Sequence, residues 1–351
     1  MSKKLLVVVS VLMIAAMLLT SCKTAAPGGT TGKTYKFCEV TDTGGIDDRS
    51  FNALGWAGMQ AIADKYSNVE VKYLESTQQS DYEVNINAFI AEKCDLIVSV
   101  GFLLGDATIA AAKANPDVNF AIIDVNTDPT VTNLRGNYSN IAEATFLAGY
   151  LSAGMTKTGK VGTYVGILFP ATQAFMDGYA MGIAKYNEVH GTTVELLGWD
   201  MAAQNGLATG NFDSTDDGRK MAETLMDEGA DIIMPVAGPV GIGSLAVMAE
   251  RKSGLLIGVD QDWSVTQPDQ KDYILANALK KIDVFVMNTC EAVMNGTFKG
   301  GEDYALTLEN GGVGLGYGSV WADKVPSALK GEIDALIPQI IAGTLKVTPT
   351  R

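Results

Sequence analysis

Short apolar runs alternate with longer amphipathic stretches along most of this chain, and this alternation limits the folds open to it. The runs predicted as strands are Tyr35–Val40, Val69–Tyr73, Leu96–Val100, Asn119–Ile123, Lys160–Val165, Val194–Leu197, Asp231–Pro235, Leu255–Val259 and Tyr273–Ala276. The stretches predicted as helices are Ser50–Tyr66, Asp81–Lys93, Asp106–Asn115, Ala142–Met155, Gln173–Val189, Asp216–Glu228, Gly243–Lys252 and Asp283–Asn295. Strands that alternate with helices of this length indicate βαβ units around parallel sheets.

The two halves of the chain repeat the same order of elements. Leu96–Val100 leads into Gly101 and Phe102, and Asp231–Val236 leads into a second glycine-containing turn. This repetition predicts two similar α/β lobes of about 120 residues each. Open α/β sheets bind ligands beyond the carboxyl ends of their strands, so two facing lobes would share one cleft at those ends.

The N-terminal segment has the pattern of a secretory signal. Lys3 and Lys4 precede the apolar run Leu5–Leu19, which is shorter than the roughly 20 residues that span a bilayer, so a membrane-spanning anchor is disfavoured. The segment then ends in Leu-Thr-Ser-Cys, which resembles the bacterial lipoprotein box with Cys22 as the acylated residue. We therefore expect a signal peptide at 1–21 and a lipidated Cys22 with a flexible tether at 22–33, which would hold the protein on the outer face of a membrane.

Charge and residue counts exclude several classes of function. The formal net charge is −14, and removal of the two lysines of the signal would make it −16, so an acidic surface disfavours nucleic acid as a partner. The chain has one histidine, His190, in a polar stretch, whereas most hydrolase triads and zinc sites need placed imidazoles. We expect a binding protein that is not an enzyme and that acts as a monomer without a cofactor.

Three cysteines remain besides Cys22. Cys38, Cys94 and Cys290 each lie in an apolar run, and their count is odd. We expect buried free thiols, while a Cys38–Cys94 disulfide stays open as the alternative.

The turns that follow the predicted strands carry carboxylates, amides, aromatic rings, glycines and one lysine. They are Asp42, Thr43, Gly44, Gly45, Ser50, Phe51, Asn52, Gly101, Phe102, Asp106, Phe169, Phe175, Asn211, Phe212, Gly238, Gly241, Gly243, Asp260, Gln261, Asp262, Trp263, Asn277 and Lys280. Carboxylates accept hydrogen bonds from hydroxyl and base N–H groups, and aromatic faces stack on planar rings. Because Asp at helix N-termini would repel phosphate, the collection suits a nucleoside or sugar better than an anion.

Several of these residues have a second interpretation. Asp47, Asp48 and Ser50 also fit the capping of the helix that follows, and Phe175 and Phe212 also fit a hydrophobic core. The spacing of Asp42, Asp47 and Asp48 departs from that of a calcium loop. The glycines from Gly238 to Gly243 depart from the G-x-G-x-x-G spacing of a dinucleotide site.

Seven segments have a recognisable pattern, namely Thr41–Asn52, Val100–Phe102, Asn119–Asp124, Phe146–Tyr150, Asp227–Asp231, Ile257–Asp260 and Leu279–Asp283. Together they resemble the basic membrane lipoproteins, the purine nucleoside receptor A type of substrate-binding lipoprotein. The resemblance runs along nearly the whole mature chain, and its first segment is highly specific. It implies a type I periplasmic-binding fold, with two Rossmann-like lobes joined by a hinge. It also implies capture of a nucleoside of the inosine, guanosine or adenosine class and delivery to the permease and ATPase subunits of an ABC importer.

The resemblance also assigns roles within the cleft. Phe51 looks like one ring of an aromatic sandwich, with Phe212 or Phe175 as the other. Asp42 and Asp106 look like partners of the base edge or ribose, Asp260 and Lys280 look like a ribose clamp, and Gly238 lends a backbone group. The expected ligand set is Asp42, Phe51, Asn52, Asp106, Phe175, Phe212, Gly238, Asp260 and Lys280.

The lobes are expected to span 34–157 plus about 278–312, and 158–277 plus about 313–351. Asn211-Phe212-Asp213-Ser214 and Pro239-Val240 depart from the family pattern and leave the second stacking ring and the base preference open. A pentose or another small polar metabolite is the alternative ligand, and a surface receptor or adhesin is the alternative role. Hydrolysis of a nucleoside by Asp42, Asp47 and Asp48 is disfavoured because it needs a metal or a tuned acid–base pair.

Overall fold

The computed structural model describes residues 32–348, and the expected signal peptide, Cys22 and most of the tether lie outside these residues. The strands are β1 Tyr35–Val40, β2 Val69–Leu74, β3 Leu96–Ser99, β4 Asn119–Ile123, β5 Leu134–Ser139, β6 Lys160–Val165, β7 Glu195–Leu197, β8 Trp199–Asp200, β9 Asn205–Gly206, β10 Ile232–Val236, β11 Leu255–Asp260, β12 Ile274–Lys280, β13 Asp303–Leu306 and β14 Val313–Tyr317. The helices are α1 Phe51–Lys65, α2 Ser80–Ala91, α3 Gly105–Ala114, α4 Ile141–Met155, α5 Pro170–His190, α6 Thr215–Asp227, α7 Gly241–Arg251, α8 Trp263–Thr266, α9 Ile282–Met294 and α10 Ser327–Ile341.

Two six-stranded sheets carry the fold. The first has the strand order β13-β5-β4-β3-β1-β2, and the second has the order β14-β12-β11-β10-β6-β7. All neighbouring strands in them run parallel except β14, which is antiparallel to β12. The predicted pair of α/β lobes is therefore confirmed. Strands at the same place in the two strand orders correspond to each other. β4 of the first sheet matches β11 of the second.

Local sequence explains where the helices begin and end. Ser214 caps α6, since its hydroxyl accepts a hydrogen bond from the Asp217 N–H at 3.2 Å. Pro170 opens α5 at the first helical position, where no N–H is needed, and Gly191 closes that helix with φ +63. The sequence analysis predicted that this helix starts at Gln173, three residues later than its observed start at Pro170.

The chain crosses between the lobes three times, at residues 139–141, 280–282 and 306–313. α4 was expected in the first lobe, but its buried side chains belong to the core of the second sheet, together with Tyr164 and Tyr179. The reason is that the chain has already crossed when α4 begins, and this helix packs along α5. α9 crosses back, and its Phe285 and Val286 pack in the core of the first sheet.

Seven elements were missed from the sequence, namely β5, β8, β9, β13, β14, α8 and α10. β5 reads Leu-Arg-Gly-Asn-Tyr-Ser and β14 reads Val-Gly-Leu-Gly-Tyr, so neither shows the apolar run of a buried strand. Pairing with neighbours, rather than intrinsic propensity, makes them strands. No helix within residues 32–348 has the length and apolar character needed to cross a bilayer.

The expectation of free thiols was wrong for two of the three cysteines. Cys38 on β1 and Cys94 just before β3 form a disulfide, with their Cα atoms 6.1 Å apart. β1 and β3 are neighbouring strands, and this pairing brings together two residues that are 56 positions apart in sequence. Cys290 is a buried free cysteine, as expected. A structural disulfide is typical of proteins that fold in an oxidising compartment.

Glu39 is a buried carboxyl group in the core of the first lobe. It lies on β1 and is completely buried, and neither of its oxygens has a hydrogen-bond partner among residues 32–348. Gly55 on α1 leaves room for it, since a Cβ there would lie 3.2 Å from Glu39 Oε2. Burial, with a smaller contribution from the charge of Asp48, raises the pKa of Glu39 well above its usual value.

Replacement of Glu39 by glutamine should change how stability depends on pH. Because the pKa of Glu39 is raised in the folded state, its contribution to stability is fully present below pH 4.5. This contribution is lost as the pH rises from 4.5 to the folded-state pKa. Over that interval, the stability of Glu39→Gln relative to wild type should grow by up to about 1.4 kcal/mol per pH unit. Urea unfolding at several pH values measures it. Glu70→Gln, at an exposed position on β2, is the control and should show no such trend. Parallel curves for Glu39→Gln and wild type would contradict the assignment.

Candidate ligand-binding site

A pocket lies between the two lobes at the carboxyl ends of their strands. Eight of the expected ligand residues line it, namely Asp42, Phe51, Asn52, Phe175, Phe212, Gly238, Asp260 and Lys280. Asp106, the remaining one, does not line it. The helix N-termini and strand ends of both lobes thus converge on one space, as open parallel sheets favour.

Asp42 presents one oxygen to this pocket and is held by the other. Its Oδ1 accepts hydrogen bonds from Asn52 Nδ2 at 2.7 Å and from the Gly44 N–H at 3.1 Å. The Asn52 Oδ1 in turn accepts from the Asp42 N–H at 3.2 Å, which fixes the loop. Oδ2 accepts no hydrogen bond from residues 32–348 and lies beside Gly101, where a Cβ would be 3.1 Å away. Burial raises the pKa of Asp42, because the ionised carboxylate is cut off from water. A ligand that donates a hydrogen bond to Oδ2 would stabilise the ionised form.

Asp48 has a structural role in the same loop. Its oxygens accept backbone hydrogen bonds from Ser50, Asn52 and Ala53 at 2.7–2.9 Å. These are N–H groups at the start of α1, so Asp48 caps this helix. The Ser50 hydroxyl donates to Asp260 instead of capping the helix, and Asp47 is exposed. Burial raises the pKa of Asp48 to about 7, although the three backbone N–H groups act in the opposite direction.

Polar contacts join the two lobes across the pocket. Lys280 Nζ at the end of β12 lies 2.6 Å from Asp124 Oδ2, and both side chains are almost completely buried. The Ser50 hydroxyl donates to Asp260 Oδ2 at 3.2 Å. Gln261 Nε2 donates to the Ser50 carbonyl, also at 3.2 Å. Each contact pairs a group on the first lobe with one on the second, so the structure shows the lobes closed on each other.

Asp124 and Asp260 occupy equivalent places in the two lobes. Asp124 follows β4 and Asp260 ends β11, and both have left-handed backbones, with φ +64 and +68. Burial raises the pKa of Asp260 to about 6, with Lys280 lowering it and Asp124 raising it further. Asp tolerates this conformation better than most residues. The two carboxylates therefore face the same ammonium group from opposite lobes.

Aromatic rings supply much of the remaining wall. Lys280 Nζ lies 5.0 Å from the centre of the Phe51 ring and 5.7 Å from that of Phe175. Phe175 also belongs to the core of the second lobe, so its interpretation as a core residue is confirmed, and it lines the pocket as well. Phe212 packs against Gly166. Phe102 and Phe169 add two rings that the expected ligand set did not include. The pocket thus has flat apolar surfaces next to buried carboxylates.

The structure separates Asp106 from this group. A short 3₁₀ turn, Phe102–Leu104, intervenes after β3, and Asp106 lies in the first turn of α3 with an exposed side chain. Asp124 takes a place in the pocket wall instead. This position of Asp124 could have been predicted from the sequence, because Asp124 directly follows the predicted strand Asn119–Ile123. Gly238, with φ +53, lies in the wall after β10 as expected.

Within residues 32–348, the structure holds no group of three or more His, Cys, Asp and Glu side chains placed to bind a metal ion.

A model of the family described as "ABC transporter substrate-binding protein PnrA-like" matches residues 36–347. This chain belongs to that family. Its fold is the type I periplasmic-binding fold, as predicted, and the chain is an ABC transporter substrate-binding protein.

Individual relatives agree with this assignment. The chain is 29% identical to "ABC transporter nucleoside-binding protein BmpA" of Lactococcus lactis subsp. cremoris, and the match covers 99% of each chain. It is 31% identical to "Basic membrane protein A" of Borreliella burgdorferi, over 85% of this chain and 83% of that protein. The crystal structure of an ABC transporter solute-binding protein from Aeropyrum pernix K1 superposes with a TM-score of 0.80 at 26% identity, covering 90% and 94% of the two chains.

Removal of the Asp48 side chain should destabilise the protein, whereas removal of its neighbour should not. Asp48→Ala leaves the first turn of α1 without its cap, which we expect to lower the free energy of unfolding by about 2 kcal/mol. Asp47→Ala, one residue away and exposed, should change it by less than about 0.5 kcal/mol. Urea denaturation followed by circular dichroism measures both. Equal effects of the two variants would argue against Asp48 as the cap.

Proposed function

We propose that this substrate-binding protein captures a nucleoside, of the purine class, between its lobes. The observation that carries the proposal is the juxtaposition of aromatic rings with buried carboxylates in one interlobe pocket. A nucleoside offers a flat base for the rings and N–H and hydroxyl donors for the carboxylates. The relative from Lactococcus lactis, whose name includes "nucleoside-binding protein", supports the same class of ligand.

The charges of the pocket favour a neutral ligand that is rich in donors. Asp42, Asp124 and Asp260 each have one oxygen that accepts no hydrogen bond from residues 32–348, and Lys280 is the ammonium group beside them. Hydroxyl and N–H groups can donate to these oxygens. A phosphate group would instead add negative charge to the pocket.

The base is proposed to stack between rings from the two lobes. Phe51 comes from the first lobe, and Phe175 and Phe212 come from the second, so closure brings the faces together. Base–aromatic stacking contributes about 1–3 kcal/mol per base in protein–nucleic acid complexes. Asp42 and Asp124 are proposed as partners of the base edge or ribose from the first lobe. Asp260 and Lys280 are proposed for the sugar from the second.

We also propose that the protein works outside the cytoplasm and is held at the membrane by an acylated Cys22. The lipoprotein-like ending of the N-terminal segment supports the anchor, and the Cys38–Cys94 disulfide is consistent with an oxidising compartment. In this role the loaded protein delivers its ligand to the permease and ATPase subunits of an importer.

Calorimetric titration of the mature protein with inosine, guanosine, adenosine and cytidine tests the ligand class. We expect a purine nucleoside to bind, and we expect Phe51→Ala and Asp260→Ala each to weaken binding at least tenfold, about 1.4 kcal/mol or more. Asp47→Ala is the matched control and should bind as wild type does. Folded protein that gives no heat with any nucleoside would refute the proposal. If ribose displaces inosine at similar concentrations, the pentose alternative is correct instead.

Binding should weaken in mild acid. Because the pKa of Asp260 is about 6 and its ionised form is the better acceptor for a ligand hydroxyl, protonation competes with the ligand. Affinity should therefore be constant above about pH 7 and fall by about tenfold per pH unit below 6. Titrations at pH 5, 6, 7 and 8 measure this, with folding checked at each pH. Asp260→Asn should bind weakly with a flatter profile. A wild-type affinity that does not change down to pH 5 would contradict the role of Asp260.

A further inference from the structure

Two phenylalanine rings stack on each other across the mouth of the ligand pocket. Phe102 follows β3 of the first lobe, and Phe169 lies between β6 and α5 of the second. Their ring centres are 4.8 Å apart and their planes differ by 13°. An offset-stacked aromatic pair of this kind stabilises a contact beyond the area that it buries. Each ring comes from a different lobe, so the pair exists only while the lobes are closed.

Each ring is positioned by its own lobe. Phe102 begins the 3₁₀ turn after Gly101, in which the Leu104 N–H donates to the Gly101 carbonyl at 3.1 Å. The Phe169 N–H donates to Thr172 Oγ1 at 3.1 Å, at the start of α5. The Phe212 ring supports Phe169 from within the second lobe, with their centres 6.0 Å apart. Lobe opening would therefore separate the two rings, because the backbone that carries each ring is hydrogen-bonded within its own lobe.

The pair lies where the pocket meets solvent. Phe102 lines the ligand pocket and also a second, adjoining cavity, and 38% of its surface is exposed. Phe169 is half-buried. The other contacts between the lobes in this region pair polar groups, Lys280 with Asp124 and Ser50 with Asp260, and three of these four residues line the ligand pocket. The stacked rings, in contrast, stabilise closure without using a group that a polar ligand needs.

We propose that Phe102 and Phe169 form an aromatic latch that stabilises the closed conformation and sets the rate at which a bound ligand leaves. The latch does not depend on the identity of the ligand. It rests on the proposed function only for the choice of inosine as the kinetic probe. Loss of either ring should shift the protein towards the open conformation and speed dissociation, while leaving the association rate nearly unchanged.

A double-mutant cycle on the dissociation rate of inosine tests the latch. Phe102→Ala and Phe169→Ala should each raise koff by about two- to tenfold, the range that an aromatic pair supports. Because the rings act on each other, the double variant should dissociate no faster than the faster single variant. Tyr138→Ala is the control, since its ring on the first lobe is 40% exposed but lies outside the part of the described chain that lines the ligand pocket. Its koff should match wild type.

Two kinetic results would overturn the proposal. If the effects of the single variants multiply in the double variant, each ring contacts the ligand independently and no latch exists. If neither variant changes koff, the pair does not resist opening.

A ligand-free measurement separates failure of the latch from failure of the nucleoside proposal. Spin labels at Val84→Cys and Val189→Cys, two exposed positions on helices of different lobes, report the distance between the lobes by electron resonance. Without ligand, Phe102→Ala should lower the ratio of closed to open molecules by about two- to tenfold relative to wild type. An unchanged ratio, or a wild type with no closed population, would overturn the latch even if nucleosides bind. A lowered ratio would support it even if they do not.

Discussion

The ligand pocket is acidic, and one buried ammonium group, that of Lys280, offsets part of its negative charge. Lys280 is 2.6 Å from Asp124, and Asp42, Asp48 and Asp260 lie in the same pocket wall. Carboxylates removed from water are costly unless charge or hydrogen bonds compensate. Burial is the main reason that the pKa values of Asp48 and Asp260 are raised, to about 7 and about 6, and neighbouring carboxylates raise them further. A ligand that brings N–H and hydroxyl donors lowers the cost of burying these carboxylates, and a ligand that brings negative charge raises it.

The sequence was informative wherever a site residue directly ends a strand or begins a helix. Asp42, Phe51 and Asp260 follow from the alternation of elements, because the carboxyl ends of parallel strands must meet at one edge of each sheet. Asp106 shows the limit of this reasoning. One 3₁₀ turn displaces it to an exposed helix start, and a turn of that length leaves no periodic pattern. Asp124 could have been predicted from the same rule that located Asp260, because both residues lie at the carboxyl end of a strand.

Longer-range features could not be predicted from local pattern. The Cys38–Cys94 disulfide depends on β1 and β3 being neighbours, and strand order is set by the whole sheet. The assignment of α4 to the second core depends on where the chain crosses, which no residue of that helix marks. β14 becomes a strand through its antiparallel pairing with β12 despite two glycines. In each case the deciding contact joins residues that are far apart in sequence.

The same charges that favour a donor-rich ligand also oppose closure. Bringing the lobes together places Asp260 near Asp124, and the repulsion between them contributes to the raised pKa of Asp260. Lys280 offsets part of this repulsion but belongs to the ligand site itself. A contact that favours closure without adding charge therefore helps to hold the lobes together beside the carboxylates. The stacked rings of Phe102 and Phe169 have that property, because their attraction does not depend on the protonation of either lobe.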